Sequence, residues 1–135
     1  MAEHVVVAVD FSPQWPVLHA AVERLCREGC RRVTLVHVLA EEYGRIPDET
    51  HRDHYQAELE AIASGLCSLG GTVQCEVRSG RVAHELLAAA QEHGADLIML
   101  GKRGRNPLAD LLLGSVAEAV CREATLPVLL IPTKR

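Results

Sequence analysis

Aromatic side chains are scarce in this chain: one Trp, two Tyr and one Phe make up 3% of its 135 residues. That leaves few platforms on which single-stranded bases could stack. A surplus of positive charge is also lacking, since 14 Lys+Arg stand against 18 Asp+Glu for a formal net charge of -4. This balance argues against a general nucleic-acid or anionic-membrane binder. No apolar run approaches the roughly 18–20 residues needed to cross a bilayer. The opening Met1-Ala2-Glu3-His4 carries no basic segment, long apolar stretch or small-residue cleavage site, so a soluble, cytoplasmic protein is expected. The five cysteines, at positions 26, 30, 67, 75 and 121, include no Cys-x2-Cys pair. Neither a disulfide framework nor a zinc ribbon fits them, and reduced, mostly buried thiols are the expectation. Walker A, GxGxxG and GxSxG motifs are absent too, which removes sequence support for a P-loop ATPase, a classic dinucleotide fold and a serine hydrolase.

What is present is 48% hydrophobic residues in a length typical of one domain, expected to span residues 1–135. Short β-branched runs alternate with longer amphipathic segments, the pattern of βα units closing on a parallel sheet. The runs lie at residues 3–9, 32–39, 72–77, 95–100 and 128–131. Their near-continuous Val, Ile and Leu content implies strands covered on both faces. Helices are expected over about residues 16–27, 47–69, 82–93 and 115–123, with a break near Ser64-Gly65 in the second. Ser12, Pro13 and Pro16 can open the first helix, and Gly29, Gly70-Gly71 and Gly94 follow the ends of the first three.

The most informative stretch follows the fourth strand: Gly101-Lys102-Arg103-Gly104, then Gly114-Ser115-Val116, a Gly-x2-Gly-x9-Gly-Ser spacing. Gly101 would let a ligand approach the backbone with no Cβ in the way, and Gly104 can take the positive φ of a tight loop. Gly114 and Ser115 would offer backbone N–H groups at a helix N-terminus, where a phosphate can be held. Lys102, Arg103 and Arg105 make a local positive basin in an acidic chain. The plainer alternative is that these glycines only make turns and the cations only meet solvent. Asp10 closes the first strand, and in an open parallel sheet ligands collect beyond the carboxyl ends of strands where their order reverses. There its carboxylate could accept from ribose hydroxyls or an adenine amino group. Capping the helix that starts near Ser12 or Pro13 is its alternative role.

Taken together, Val7-Ala8-Val9-Asp10-Phe11-Ser12, the His37-Val38 pair, Gly80 after the third strand, the glycine motif and Pro127-Val128-Leu129-Leu130-Ile131 resemble the universal stress protein family over essentially the whole chain. The resemblance implies a Rossmann-like open sheet of five parallel strands in order 3-2-1-4-5, with helices on both faces. It implies a homodimer built through the last strand, Val128, Leu129, Leu130 and Ile131, and ATP binding in the branch that carries the glycine motif. Carried over residue by residue, Asp10 and the main chain of Val9 and Val38 would hold the adenosine. Gly101, Arg103, Gly104, Gly114, Ser115 and Val116 would line the ribose and phosphates. Gly80-Arg81-Val82 departs from the Gly-x-Pro of many members, and Lys102 and Arg103 replace small polar residues.

The implied function is an adenine-nucleotide-binding regulatory module of the stress response. Two alternatives are a dimeric interaction protein that binds no nucleotide and a slow magnesium-dependent ATP hydrolase. Hydrolysis requires a group to orient water and usually a metal. Asp10 or Asp110 could touch magnesium, but no base paired with an orienting partner is visible, so binding with little or no turnover is expected. His51, His54 and Glu58 fall near one helical face and read as solvated rather than metal-ligating. His37, inside a strand, reads as a hydrogen-bonded core imidazole. Tyr43 and Tyr55 could mark a docking surface.

Overall fold

A computed structural model describes residues 2–40, 49–102 and 114–132. In chain order the elements are β1 (His4–Ala8), α1 (Trp15–Arg27), β2 (Arg32–Ala40), α2 (Glu49–Cys67), β3 (Thr72–Gly80), α3 (Val82–His93), β4 (Leu97–Gly101), α4 (Ser115–Glu123) and β5 (Val128–Ile131). All pairings are parallel, in the order β3-β2-β1-β4-β5. The expected architecture is therefore observed, with the order reversing between β1 and its neighbours β2 and β4.

Strand alternation divides the core into two faces. Val5, Val7, Val9, Leu35 and Met99 pack beneath α1 and α2 with Leu18, Val22, Leu59 and Leu66. Val6, Val36, Val38, Ile98 and Leu100 pack beneath α3 and α4 with Leu86, Ala89, Ala117 and Val120. Val5, Val6 and Val7 are all fully buried, as a central parallel strand covered on both sides requires.

The differences from expectation are local. β3 continues to Gly80, three residues further than expected, because β2 pairs with it through Ala40. β4 starts at Leu97 because Asp96 is committed to a turn, its carboxylate accepting from the Glu3 and His4 amides at 3.1 and 3.2 Å. The break near Ser64-Gly65 does not occur. α2 runs through to Cys67, Gly65 faces open space, and the Ser64 hydroxyl bonds back to the Glu60 carbonyl within the helix. α1 begins at Trp15 with Gln14 as its N-cap, and Ser12 supports that start by accepting from Gln14 N through Oγ and from Trp15 N through its carbonyl. Asp10 does not cap the helix: its Oδ1 accepts from the Ser12 amide at 3.0 Å in a local turn. The cysteines are free, but Cys67 and Cys121 are exposed, contrary to the expected burial. Tyr55 is half-buried against the α1/α2 face of the core; Tyr43 lies outside the described residues.

Candidate nucleotide site

The carboxyl ends of β1, β2 and β4 carry the residues singled out from the sequence. At the end of β1 the ladder closes with the Val9 amide donating to the Val36 carbonyl at 2.8 Å. The chain then turns sharply. Phe11 adopts φ 55°, a left-handed conformation that costs a bulky residue about 1 kcal/mol and needs surrounding contacts to hold it. Those contacts are Tyr55, stacked at 5.3 Å between ring centroids, and His37, edge-on at 4.8 Å. His37 is buried and its Nδ1 lies 2.7 Å from the Val9 carbonyl, so it is the hydrogen-bonded core imidazole expected from its place in the strand. Because a carbonyl only accepts, Nδ1 carries the proton.

At the end of β4, Gly101 pairs in register with Ile131, and the Lys102 amide donates to the Ile131 carbonyl at 2.8 Å. The Gly114 amide then donates to the Lys102 carbonyl at 2.9 Å, which ties the start of α4 to the end of β4. Gly114 is thus not an unpaired donor, contrary to the sequence expectation. The first intrahelical bond runs from the Glu118 amide to the Gly114 carbonyl, so the amides of Ser115, Val116 and Ala117 precede the helical ladder and point out of the N-terminus. Gly114, the N-cap, contributes no side chain to satisfy them. Ser115 is exposed and Val116 half-buried.

An open cavity of about 310 Å³ lies between the ends of β2 and β3 and the first turns of α3 and α4. Ala40, Gly80, Arg81, Val82, Ser115 and Val116 line most of it. Ser115 and Val116 are therefore brought into one concavity, whereas Val9, Asp10, Val38 and Gly101 stand along the same carboxyl edge outside its lining. Arg103 and Gly104 lie outside the described residues, as do Arg105 and Asp110. Sequence reasoning missed Ala40 and Arg81 as lining residues. The alternation that puts Val36 and Val38 on the α3/α4 face would have placed Ala40 there too, and Arg81 follows the positive-φ Gly80 that turns β3 into α3.

The electrostatics of this rim are set from both sides. Arg81, the exposed N-cap of α3, contributes a cationic residue to the lining. Just behind it, the Glu85 carboxylate is held by Arg78 at 2.9 Å, and Arg78 also bonds Glu76 and Glu92 at 3.2 and 3.1 Å. Those three carboxylates, Glu92 foremost, push the Arg78 pKa above its ordinary value, so the cation stays fixed and the β3–α3 junction is braced. Among the described residues no group of three metal-ligating side chains occurs, and His54 meets Glu58 only as an exposed pair at 4.0 Å. No helix among the described residues is long and apolar enough to cross a membrane.

The comparisons with known proteins agree with this architecture. A universal stress protein of Thermus aquaticus is 46% identical over 140 aligned positions, covering 97% of this chain and 99% of that protein. Alignments with relatives from Bacillus subtilis and Methanocaldococcus jannaschii span only 36% to 49% of those proteins' lengths. The solved structure of MJ0577, a universal stress protein of M. jannaschii, superposes with a TM-score of 0.84 at 25% identity, covering 98% of this chain and 97% of that one. A universal stress protein from Archaeoglobus fulgidus, solved in complex with dAMP, superposes with a TM-score of 0.66 at 26% identity over 94% and 95% of the two chains. The family model for universal stress proteins matches residues 1–132, and the chain belongs to that family.

Proposed function

We propose that this protein binds an adenine nucleotide at the carboxyl edge of its sheet and serves as a small nucleotide-responsive regulatory module. The observation that carries the reading is the start of α4, where the amides of Ser115 and Val116 bond no described residue and both residues line a cavity with Arg81. A helix N-terminus with free amides favours an anion, and a guanidinium beside it adds a charge-assisted donor. Asp10 and the main chain near Val9 and Val38, at the neighbouring strand ends, suit the adenosine. Gly101 leaves the backbone open, and Arg103, Gly104 and Gly114 would line the ribose and phosphates with Ser115 and Val116. The A. fulgidus relative's dAMP complex supports an adenine ligand.

ATP is the proposed ligand, its triphosphate matched to the cations of Arg81, Lys102 and Arg103. Asp10 already accepts from Ser12, and Glu85 is held by Arg78, so the described residues offer magnesium no cage of their own. Any magnesium would enter on the phosphates, and the proposal is of binding rather than turnover. Homodimerisation through Val128, Leu129, Leu130 and Ile131 is proposed with it. β5 is an edge strand, and Leu129 on it is 37% exposed, whereas the opposite edge strand has its Val77 and Cys75 carbonyls covered by Arg52 and Gln56 of α2. An apolar edge strand is stabilised by pairing with a second copy.

Heat-denaturing the purified protein and resolving the supernatant by anion exchange should release stoichiometric adenine nucleotide. An empty protein whose melting temperature ATP does not raise would remove the reading. Light scattering at micromolar concentration should return the mass of a dimer, and a monomer would contradict the β5 assignment alone.

A further inference from the structure

Alternate residues of a strand turn their N–H and C=O to the same neighbour. The Val36 carbonyl faces β1, since it accepts from the Val9 amide at 2.8 Å. Val38, two residues further, therefore directs its own N–H and C=O to that side, beyond Ala8, where β1 ends. In a regular parallel ladder the next rung would run from the Val38 amide to the Val9 carbonyl. That carbonyl instead accepts from the His37 imidazole, with Nδ1 at 2.7 Å.

The imidazole is held in place for this. His37 is 8% exposed, with Phe11 edge-on at 4.8 Å and Tyr55 tilted against it at 4.3 Å. Phe11 is itself the left-handed residue of the turn, and Asp10, just before it, has Oδ1 on the Ser12 amide. One buried ring thus meets the last peptide of β1 and the strained residue that follows, on the α1/α2 side of the sheet.

Resting on the nucleotide reading above, we infer that His37 is a positioning residue for the adenosine part of the site. By engaging the Val9 carbonyl it ends the β1–β2 ladder one rung early, which leaves the Val38 amide for the ligand and fixes the turn that presents Asp10. His37 touches no nucleotide itself. Its action is confined to the adenosine end, because the phosphate end is built separately on α4 and β4.

The test compares wild type, His37→Leu and His37→Asn by calorimetry with ATP and with inorganic tripolyphosphate. Asn can place an amide N–H near the position of Nδ1, whereas Leu removes the donor and keeps apolar bulk. His37→Leu should bind ATP about tenfold more weakly, the effect of roughly one lost hydrogen bond, with tripolyphosphate unchanged and His37→Asn within about threefold of wild type. In the nucleotide-free proteins, hydrogen exchange at the Val38 amide should be slower in His37→Leu than in wild type, since the freed Val9 carbonyl can then accept it. His37→Leu binding ATP as tightly as wild type, or losing ATP and tripolyphosphate equally, overturns the role assigned to His37. Wild type binding no ATP removes the nucleotide reading first and this role with it.

Discussion

The two ends of the parallel sheet are built on opposite principles. At the amino end every strand is tied to its neighbour: the Arg31 and Arg32 amides share the Glu3 carbonyl, the Thr72 amide donates to the Arg31 carbonyl at 2.8 Å, and the Asp96 amide donates to the His4 carbonyl at 3.0 Å. The buried His4 ring continues the closure through Thr34 at 2.7 Å, and Thr34 reaches Gln74 at 3.4 Å. Gly71 packs so tightly there that a Cβ would stand 2.9 Å from the Arg31 carbonyl. At the carboxyl end β1 parts from its neighbours instead, while β2 and β3 stay paired through Ala40 and Gly80 and β4 and β5 through Gly101 and Ile131. β1 turns away through a left-handed Phe11, helix α4 starts with amides that bond no described residue, and a cavity opens between α3 and α4. Polar groups that are satisfied internally stabilise a fold, and those left directed outward are available to a ligand. Stability and binding should therefore be separable by position along the sheet axis.

The largest expected effect is at the open end. Gly101→Val should weaken ATP binding about 100-fold or more by setting a branched side chain where the ligand is proposed to meet the backbone, while the melting temperature stays within a few degrees. Calorimetry and thermal unfolding on the same sample check both halves, and a loss of stability matching the loss of binding would blur the comparison. Gly71→Val is the converse. It should destabilise the fold by about 1–3 kcal/mol, read by urea denaturation, with ATP affinity unchanged at saturating folded protein.

Ser115→Ala should reduce ATP affinity about fivefold and AMP affinity less, since the hydroxyl proposed to meet the terminal phosphates is lost and the helix amides remain. Equal losses for both nucleotides would place Ser115 elsewhere in the site. The smallest effect is in acid. Burial foremost, then Arg32 and His93, lower the His4 pKa, so below about pH 6.5 the unfolded chain takes up a proton that the fold resists and stability falls with pH. The Glu3 amide, then the His4 amide, hold the Asp96 pKa below its usual value, which adds stability above about pH 4 that is lost as pH falls through the folded pKa. Asp96→Asn should remove the lower window and, because the Asp96 charge opposes the lowering of the His4 pKa, deepen the upper one, changing neutral-pH stability by under about 1 kcal/mol at this exposed site. A pH–stability curve shared by variant and wild type below pH 4.5 would contradict the Asp96 account.

Much of the closed framework was legible in the sequence because it rests on short-range pattern. The runs Val5-Val6-Val7 and Ile98-Met99-Leu100 could only be strands buried on both faces, and the Gly94 that ends α3 with φ 67° reads directly as a helix stop. The strand order came from family resemblance rather than periodicity, because alternation within a strand says nothing about which strand lies beside it. What was hidden depends on partners distant in sequence. The added length of β3 follows from its pairing with β2, the continuity of α2 through Gly65 from packing of Leu59, Ala63 and Leu66, and the His37–Val9 bond from a turn 28 residues away. Ser115 was singled out by the glycine spacing and Val116 by family resemblance, and both line the cavity. Arg81 was visible only as a departure from a family pattern, and its place on the rim required the fold.

The account turns on whether an adenine nucleotide binds at the open end of the sheet. The most direct measurement is calorimetric titration of the nucleotide-stripped protein with ATP, run in parallel on Gly101→Val. Saturable binding of one ATP per chain in the wild type, lost in the variant while both proteins unfold at similar temperatures, is the predicted result. No heat of binding in either protein, or equal affinity in both, would contradict it.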